Sequence, residues 1–239
     1  MESIDTIETP AVLIDLPMVE ANLSRFQAYC NTHGLAARPH IKTHKLPDFA
    51  HRQVELGAVG ITCQKIGEAE VMVASGIRDV MLTYNILGAA KLERLKRLAA
   101  HCRLSVVADN EVVVQGLAGD AMHTFQRAGL ACEVVSSGGT PDIWRAHEVS
   151  AATEHRAGTY IYNDRSLVER GTCTWEECAL DVLTTVVSRP TETRAILDAG
   201  SKALSSDLLG LKGHGHIREY PGAAIHALSE EHAVVDLSA

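Results

Sequence analysis

Over the first two-thirds of the chain, short apolar and β-branched runs alternate with longer segments whose hydrophobic residues recur with helical spacing. The segment 17–33 begins at Pro17, a residue favoured in the first helical turn, and ends before Gly34. Its apolar positions share one helical face: Val19, Leu23, Phe26 and Cys30. Segments 67–76 and 88–102 have the same spacing. The pattern therefore predicts a helix in each of these segments.

The runs between the predicted helices have strand character. The strand candidates are 11–16, 36–43, 58–65, 79–84, 103–109, 131–137 and 158–164. Strands that alternate with helices predict βα units around a parallel sheet. From about Thr172 onward the chain is β-rich and contains no helical segment of comparable length. This change of pattern predicts a second, mostly β domain.

The number of predicted strands is small for a closed barrel. A TIM-type (β/α) barrel has eight parallel strands and typically about 250 residues. About six strands fall in the βα part of this 239-residue chain. The predicted fold is α/β: a barrel that lacks about two strands, with an open α/β layer as the alternative. The predicted domains are 1–171 and a partial β domain, 172–239.

Composition and charge restrict the possible partners. The chain has 22 Lys and Arg against 30 Asp and Glu, and its net charge of −8 disfavours nucleic acid and anionic membranes as partners. A local pocket can still bind a small anion. The six cysteines lack C-x-x-C spacing, so we expect reduced thiols. Because there is neither a signal-peptide pattern nor a long apolar run, we expect a soluble, cytoplasmic protein.

Four basic side chains lie in or just after the strand candidate 36–43. Strand alternation places them on one face: Arg38, His40, Lys42 and His44. Nearby cations and desolvation lower the pKa of a lysine, and the neutral amine can form a Schiff base with a carbonyl compound. Lys42 is therefore a candidate nucleophile. The alternative is an edge strand whose charged side chains face solvent.

A turn of small residues, SSGGT (136–140, the glycine turn), follows the strand candidate 131–137. Thr140 suits a helix N-cap and Pro141 the first helical position. Backbone N–H groups in such a turn bind phosphate well. Because the turn lacks both the lysine of a nucleoside triphosphate loop and G-x-G-x-x-G spacing, a monophosphate fits best. The alternative is an ordinary βα turn.

The strand candidate 158–164 offers further groups to such a ligand. Gly158 permits close approach to the backbone, Thr159 has a hydroxyl, and Tyr160 has a phenol. Phosphate sites of barrels often lie in the loops after the last two strands. Both segments lie late in the βα region, so the two together predict a phosphate site.

Six segments occur in a characteristic order along the chain: TPAVLIDL, RPHIKTHK, KIGEAEVMVASGI, SSGGTP, GTYIYND and DAGSKALSSD. Together they resemble the D-threonine aldolase and eukaryotic-type D-serine dehydratase family, which is related to bacterial alanine racemase. The similarity extends from Thr9 to Leu237, and RPHIKTHK with GEAE is specific to the family. The resemblance implies a barrel that carries pyridoxal 5'-phosphate (PLP), a following β domain and a homodimer.

The resemblance also implies roles for individual residues. Lys42 would bind PLP, and His40 would help to set the protonation of the lysine. The phosphate would be held by Ser137, Gly138, Gly139, Thr140, Gly158, Thr159 and Tyr160. The floor where the β domain meets the barrel would include Asp198, Ser201 and Lys202.

The chain departs from the family pattern in two places. Between the counterparts of Ala118 and Phe125 the family has two further barrel strands, one of which ends near an arginine that lies close to the pyridine nitrogen. We therefore expect an internal deletion near 119–124. The family also has a metal-binding His-x-Cys motif after the strand that matches 232–237, and this chain ends at Ala239. The resemblance implies zinc or manganese without identifying its ligands.

Two histidines outside these segments were considered as metal ligands. His214 and His216 are two positions apart, so on a strand they would share a face and could bind metal. The glycines that flank them favour a loop, and no third ligand lies nearby in the sequence. We therefore expect a loop here.

The resemblance implies a PLP-dependent lyase whose substrates are small D-3-hydroxy amino acids. Retro-aldol cleavage to glycine and an aldehyde is the first hypothesis. Elimination of the kind catalysed by D-serine or 3-hydroxy-D-aspartate dehydratases is the second. Racemisation ranks below both because no second base is identifiable. A hypothesis of another class is a non-catalytic PLP-binding protein or an inactive fragment.

Overall fold

The computed structural model describes residues 4–107 and 134–238. The chain divides into two compact units, Ala21–Ile161 on the one hand and Met1–Glu20 with Tyr162–Ala239 on the other. Among the described residues, no helix combines the length and the apolar character that crossing a membrane requires.

The regular elements are short, and most of them alternate between strand and helix up to residue 169. The helices are α1 Leu16–Thr32, α2 Pro47–Leu56, α3 Ile66–Ala74, α4 Ala89–Ala99 and α5 Arg165–Glu169. The strands are β1 Ala11–Ile14, β2 Ala36–Ala37, β3 Ile61–Cys63, β4 Asp79–Leu82, β5 Arg103–Val106, β6 Ser136–Gly138, β7 Glu154–Arg156, β8 Leu180–Leu183, β9 Val186–Thr191, β10 Arg194–Leu197, β11 Ala224–Leu228 and β12 Ala233–Asp236. Short 3-10 helices occur at Ile4–Thr6, Ile41–Thr43, Ile143–Glu148, Thr159–Ile161 and Trp175–Glu177.

The unit Ala21–Ile161 contains two parallel sheets, β6-β7-β2 and β3-β4-β5. The extended chain beyond β2 joins them, because His40 forms a parallel bridge with Thr62 and the Val59 N–H donates to Ala37 O over 2.9 Å. The described strands therefore follow the order β6-β7-β2-β3-β4-β5. This is an arc of six parallel strands, close to the number predicted, but the candidate at 11–16 is not one of them, because it forms β1 and pairs antiparallel with β8.

The two edges of this arc, β5 and β6, lie on either side of residues 108–133 along the chain. If β2 to β5 are counted as the first four strands of an eight-stranded barrel and β6 and β7 as the last two, two more strands would lie between β5 and β6. The predicted deletion near 119–124 lies outside the described residues.

Helices α3 and α4 pack against β3, β4 and the turn after β2 through a continuous apolar core. Its strand and turn residues are Ile41, Ile61, Cys63, Val80 and Leu82, and its helical residues include Ile66, Met72, Leu95 and Leu98. Each large side chain buried in this way contributes about 1.5–3 kcal/mol. The core fixes the carboxyl ends of the strands, where the candidate site lies.

The second unit is built from antiparallel strands. Its four-stranded sheet has the order β11-β12-β10-β9, and β1 pairs separately with β8, with Ile14 opposite Leu180. Asp198 accepts hydrogen bonds from Thr9 Oγ1 at 2.6 Å and Thr184 Oγ1 at 2.7 Å, so its carboxylate ties together segments that are distant in sequence. Lys202 pairs with Glu231, and both side chains are largely exposed.

The compact units differ from the predicted domains 1–171 and 172–239. The first twenty residues cluster with the C-terminal part because β1 pairs with β8, and the change of unit falls at Tyr162 rather than at Thr172. As a statement about independently folding domains, the predicted division stays a prediction.

Several sequence expectations about individual elements are confirmed, and two are wrong. The helices predicted at 17–33, 67–76 and 88–102 correspond to α1, α3 and α4. The strand predicted at 158–164 is wrong, because β7 ends at Arg156 and Thr159–Ile161 is a 3-10 helix. The strand predicted at 36–43 ends early, as described below.

Candidate active site

Lys42 lies on a tight turn just beyond the carboxyl end of a parallel strand. The chain remains extended after β2, since the N–H groups of Arg38 and His40 donate to the carbonyls of His155 and Ala157 over 3.0 and 2.9 Å. Ile41–Thr43 then forms a 3-10 helix in which Ile41 is buried and Lys42 is exposed. Lys42 and His44 therefore do not share a strand face with Arg38 and His40, and that expectation is wrong.

His40 is buried directly beside Lys42. Its Nδ1 accepts a hydrogen bond from the Lys42 N–H at 3.3 Å, and its Nε2 lies 3.4 Å from Thr83 Oγ1. Burial, followed by the charge of Lys42, lowers the pKa of His40 to about 4. The ring is therefore neutral at neutral pH, with its proton on Nε2. Contrary to the sequence hypothesis, it adds no positive charge beside the lysine.

Arg38 is not a free cation near Lys42, because its charge is paired with two carboxylates. Its guanidinium donates to Glu154 Oε2 at 2.6 Å and to Asp79 Oδ1 at 2.5 Å, and it is 7% exposed. Gly60 makes this reach possible, because a Cβ there would lie 2.7 Å from Arg38 Nη1. The buried charge is thus neutralised inside the sheet, away from the lysine turn.

The glycine turn is tied to β7 and to the chain that follows it. Thr140 Oγ1 accepts a hydrogen bond from the Gly158 N–H at 3.3 Å, and His155 Nε2 lies 3.2 Å from Gly139 O. Ser137 Oγ lies 2.8 Å from His155 Nδ1, so its hydroxyl is already engaged. A phosphate at this turn would be bound by backbone N–H groups.

The helix after the glycine turn differs from the expectation. Ile143–Glu148 is a 3-10 helix with Asp142 at its N-cap position, so the predicted cap at Thr140 is wrong. The Thr140 side chain is instead buried, at 4% exposed, and bonds to Gly158. The turn itself, rather than a helix end, is what could hold an anion.

Gly158 brings the glycine turn and the lysine turn together. It is buried, and a Cβ on it would lie 3.1 Å from His40 O and 3.2 Å from Thr43 Oγ1. Since Thr43 belongs to the turn of Lys42 and Gly158 bonds to Thr140, both turns meet at this glycine. Thr159, the next residue, is half-buried.

The Tyr160 side chain does not lie with the other predicted phosphate ligands, so its phenol is not one of them, while a role for its backbone N–H stays a prediction. The residue is 4% exposed, its hydroxyl accepts a hydrogen bond from Gln53 Nε2 at 3.1 Å, and its ring centroid lies 4.4 Å from that of Phe26. Burial raises the pKa of the phenol well above its usual value. Tyr160 is a core residue between α1 and α2.

One charged residue at the site is not apparent from the sequence pattern. Arg156 lies on the same face of β7 as Glu154, its Nε donates to Ser136 Oγ at 2.7 Å, and its charge contributes to the lowered pKa of His40. No carboxylate among the described residues pairs with it. If the strand had been assigned to 154–156 from the sequence, Arg156 would have stood at its carboxyl end, two positions before Gly158.

The described part of the chain contains no group of three His, Cys, Asp or Glu side chains placed to hold a metal ion. His214 and His216 lie in a loop, as expected, and the His216 ring stacks on Trp175 with centroids 3.8 Å apart. The described residues therefore do not form the metal site that the resemblance implies.

The residues at the strand ends do fit PLP. An exposed primary amine lies on one turn and two glycines lie on the other, and the two turns meet at Gly158, where a Cβ would crowd His40 and Thr43. An aldehyde that carries a phosphate requires both groups.

Comparison with known proteins agrees with this geometry. The sequence profile described as "Putative serine dehydratase domain" matches residues 179–239. A D-threonine aldolase from Arthrobacter sp is 29% identical, over 96% of this chain and 80% of the relative. A D-threo-3-hydroxyaspartate dehydratase from Delftia sp. (strain HT23) is 25% identical, over 96% of this chain and 84% of the relative.

The alignment with the Arthrobacter protein spans 310 positions, which exceeds the 239 residues of this chain. Some aligned positions are thus occupied in the relative alone, as expected for a chain that is shorter within its fold.

Solved structures show the same architecture. The structure of D-threonine aldolase from Filomicrobium marinum superposes with a TM-score of 0.85 at 25% identity, covering 99% of this chain and 84% of that one. An alanine racemase-like protein from Idiomarina loihiensis superposes with a TM-score of 0.82 at 22% identity, covering 98% of this chain and 86% of that one. The chain is thus similar in sequence to D-threonine aldolases and D-threo-3-hydroxyaspartate dehydratases, and it has an alanine racemase-like α/β fold.

Proposed function

We propose that this protein is a PLP-dependent lyase that cleaves D-3-hydroxy amino acids to glycine and an aldehyde. The observation that carries the proposal is the meeting of the Lys42 turn and the glycine turn at Gly158. The similarity to D-threonine aldolases over nearly the whole chain supports the reaction class.

In this proposal, each group at the strand ends has a defined task. When bound, PLP supplies an electron sink for the electrons released at the substrate Cα. Lys42 Nζ would hold the aldehyde end of PLP, and the backbone of Gly138, Gly139 and Thr140 would hold the phosphate together with that of Gly158 and Thr159. The Ser137 hydroxyl supports the turn through His155.

His40 and Arg156 define the electrostatics beneath the lysine. Neutral His40 accepts the Lys42 N–H and can donate from Nε2 to a ligand that displaces the contact with Thr83. Arg156 presents a positive charge without a carboxylate partner among the described residues, so it favours an anionic or electron-rich part of the ligand.

Elimination is the second candidate reaction. It is favoured by the profile match to a serine dehydratase domain and by the similarity to D-threo-3-hydroxyaspartate dehydratase. The two reactions differ in the proton that is removed first. Loss of the β-hydroxyl proton breaks the Cα–Cβ bond and releases the aldehyde, whereas loss of the Cα proton with departure of hydroxide gives an enamine, which water then hydrolyses to a 2-oxo acid and ammonia.

Three further features belong to the proposal; the first rests on the sequence pattern, and the other two rest on the resemblance alone. They are a cytoplasmic location, a homodimeric state, and a requirement for a divalent metal, zinc or manganese. Because the described residues do not assemble a metal site, no step is assigned to a metal ion.

Borohydride reduction of the protein mixed with PLP, followed by peptide mass spectrometry, tests the cofactor lysine. We expect the reduced adduct on Lys42 and its loss in Lys42→Ala. Lys45→Ala is the matched control, since Lys45 is exposed and pairs with Glu68 at 3.3 Å. Retention of site-specific binding in Lys42→Ala would refute the assignment.

Product analysis separates the two reactions. The loaded protein is incubated with D-threonine, D-serine or the L-enantiomers, with and without zinc or manganese. Glycine and aldehyde from D-threonine support cleavage, and a 2-oxo acid with ammonia supports elimination. Absence of product from every D-substrate, with Lys42 still labelled, would leave a non-catalytic PLP-binding protein.

A further inference from the structure

A buried polar side chain lies directly behind the turn that carries Lys42 and has no part in the proposed reaction. His44 closes the 3-10 helix Ile41–Thr43, because its N–H donates to Ile41 O over 3.1 Å. Its ring is 8% exposed, and Nδ1 accepts a hydrogen bond from the Leu46 N–H at 3.0 Å. The Nδ1 atom is therefore unprotonated, and in the neutral ring the proton lies on Nε2.

The Nε2–H of His44 needs an acceptor, and the Gln53 amide on α2 is its neighbour. Both His44 Nε2 and Gln53 Oε1 are buried, and neither has a hydrogen-bond partner within bonding distance among the described residues. The Gln53 side chain is close enough to His44 to oppose the lowering of the His44 pKa by burial. A buried donor and a buried acceptor on neighbouring side chains are complementary, and native interiors rarely leave such groups unpaired.

The other end of the Gln53 amide fixes its orientation. Nε2 donates to the Tyr160 hydroxyl at 3.1 Å, and Tyr160 lies two residues beyond Gly158. Rotating the amide by half a turn would bring its NH2 group against the Nε2–H of His44, which is a repulsive pairing of two donors. The arrangement with Oε1 toward His44 is therefore the one that satisfies all three residues.

We propose that His44, Gln53 and Tyr160 form a continuous hydrogen-bonded chain that positions the Lys42 turn relative to Gly158 and the phosphate-binding backbone. The chain runs from the Leu46 N–H through the His44 ring and the Gln53 amide to the Tyr160 hydroxyl. It links the segment that carries the lysine with the segment that follows Gly158. These three are positioning residues, because they would act on Lys42 through the turn that carries it rather than by contact with the ligand.

The inference rests on the proposed function of Lys42, and two matched substitutions test it. In His44→Asn, the Oδ1 atom can replace Nδ1 as the acceptor for Leu46, while the link to Gln53 is lost. In His44→Gln, the amide NH2 can replace Nε2 and keep the link. Gln53→Leu removes both bonds of Gln53 at similar volume, and His101→Asn is a surface control, since His101 is exposed.

The first measurement is hydrogen exchange of the backbone amides in the Lys42 turn, 41–46, without any cofactor. We expect exchange in this turn to be about fivefold faster in His44→Asn and Gln53→Leu, which is the factor for one neutral buried hydrogen bond. Amides of α4 and all amides in the His101→Asn control should be unchanged. Equal exchange in wild type and both variants would overturn the chain.

The second measurement compares two rates of Lys42 modification, reductive trapping with PLP and acylation by a small amine reagent. Loss of positioning should lower the ratio of trapping to acylation about fivefold, and His44→Gln should restore it. A purely structural role would lower the melting temperature with the ratio unchanged, and that result would also overturn the inference. If wild-type Lys42 is trapped no faster than surface Lys96, the proposed function fails, and the exchange measurement alone decides on the chain.

Discussion

Gly158→Ala tests whether the junction of the two turns forms the ligand site. The added Cβ would lie 3.1 Å from His40 O and 3.2 Å from both His40 Cβ and Thr43 Oγ1. Comfortable separations between such atoms are about 3.5–4.0 Å, so each contact must lengthen by a few tenths of an ångström. The Thr43 hydroxyl can rotate away, but the two His40 atoms are fixed by a buried ring and a strand, so the turns must separate.

The expected cost follows from the kind of contact. Overpacking a well-packed site by one methyl group costs about 1–3 kcal/mol, and we expect the free energy of unfolding in urea to fall by this amount. If separating the turns costs about 1–2 kcal/mol of PLP binding, the dissociation constant rises about fivefold to thirtyfold.

Gly67→Ala is the matched control for this substitution. In α3, a Cβ at position 67 would meet nothing closer than Arg94 Nη2 at 3.7 Å. Alanine should therefore stabilise the helix by about 0.5–1 kcal/mol and leave PLP affinity unchanged. A Gly158→Ala protein with wild-type stability and wild-type PLP affinity would show that the turns do not meet as described.

Three further predictions concern groups beneath and beside the site. Arg38→Met should lower the free energy of unfolding by about 3–5 kcal/mol, because two carboxylates lose a buried partner. Arg103→Met, at an exposed position, should change the free energy of unfolding little, and equal losses in the two variants would contradict the prediction. Because the pKa of folded His40 is lowered from 6.5 to about 4, the contribution of His40 to stability is complete above pH 6.5 and is lost as the pH falls toward 4. In His40→Gln, the free energy of unfolding in urea should therefore depend less on pH between 4 and 6.5. An unchanged pH dependence in the variant would count against this. Ser137→Ala should leave PLP affinity unchanged in a titration, since the hydroxyl is held by His155; a large loss would make the hydroxyl a phosphate ligand.

Much of the fold could be predicted because its helices and apolar strands have clear periodicity. The stripe that includes Leu23 and Phe26 specifies α1, and the buried run Ile61–Cys63 specifies β3. The strand β7 was misplaced because its sequence Glu154–Arg156 is polar. The Glu154 carboxylate is bound inside the sheet by Arg38 and Ser136, and such pairing cannot be read from a single sequence.

The sequence predicts which segments form the candidate site better than it predicts how their residues are arranged. RPHIKTHK and SSGGT identified the two segments of the site, but strand alternation could not reveal that the strand ends before Lys42 and that Lys42 lies on a turn. It also could not reveal that Tyr160 turns into the core toward Gln53. Both outcomes depend on tertiary contacts made after the strand, where the period of two no longer applies.

The pairing of β1 with β8 has a consequence for how the molecule is made. Ile14 lies opposite Leu180 in this pair, so β1 leaves the ribosome long before its partner strand does. Contacts of such long sequence separation form slowly. During synthesis, the backbone N–H and C=O groups of Ala11–Ile14 cannot pair with β8 until β8 has been made, and the parallel arc can assemble before β1 pairs with β8.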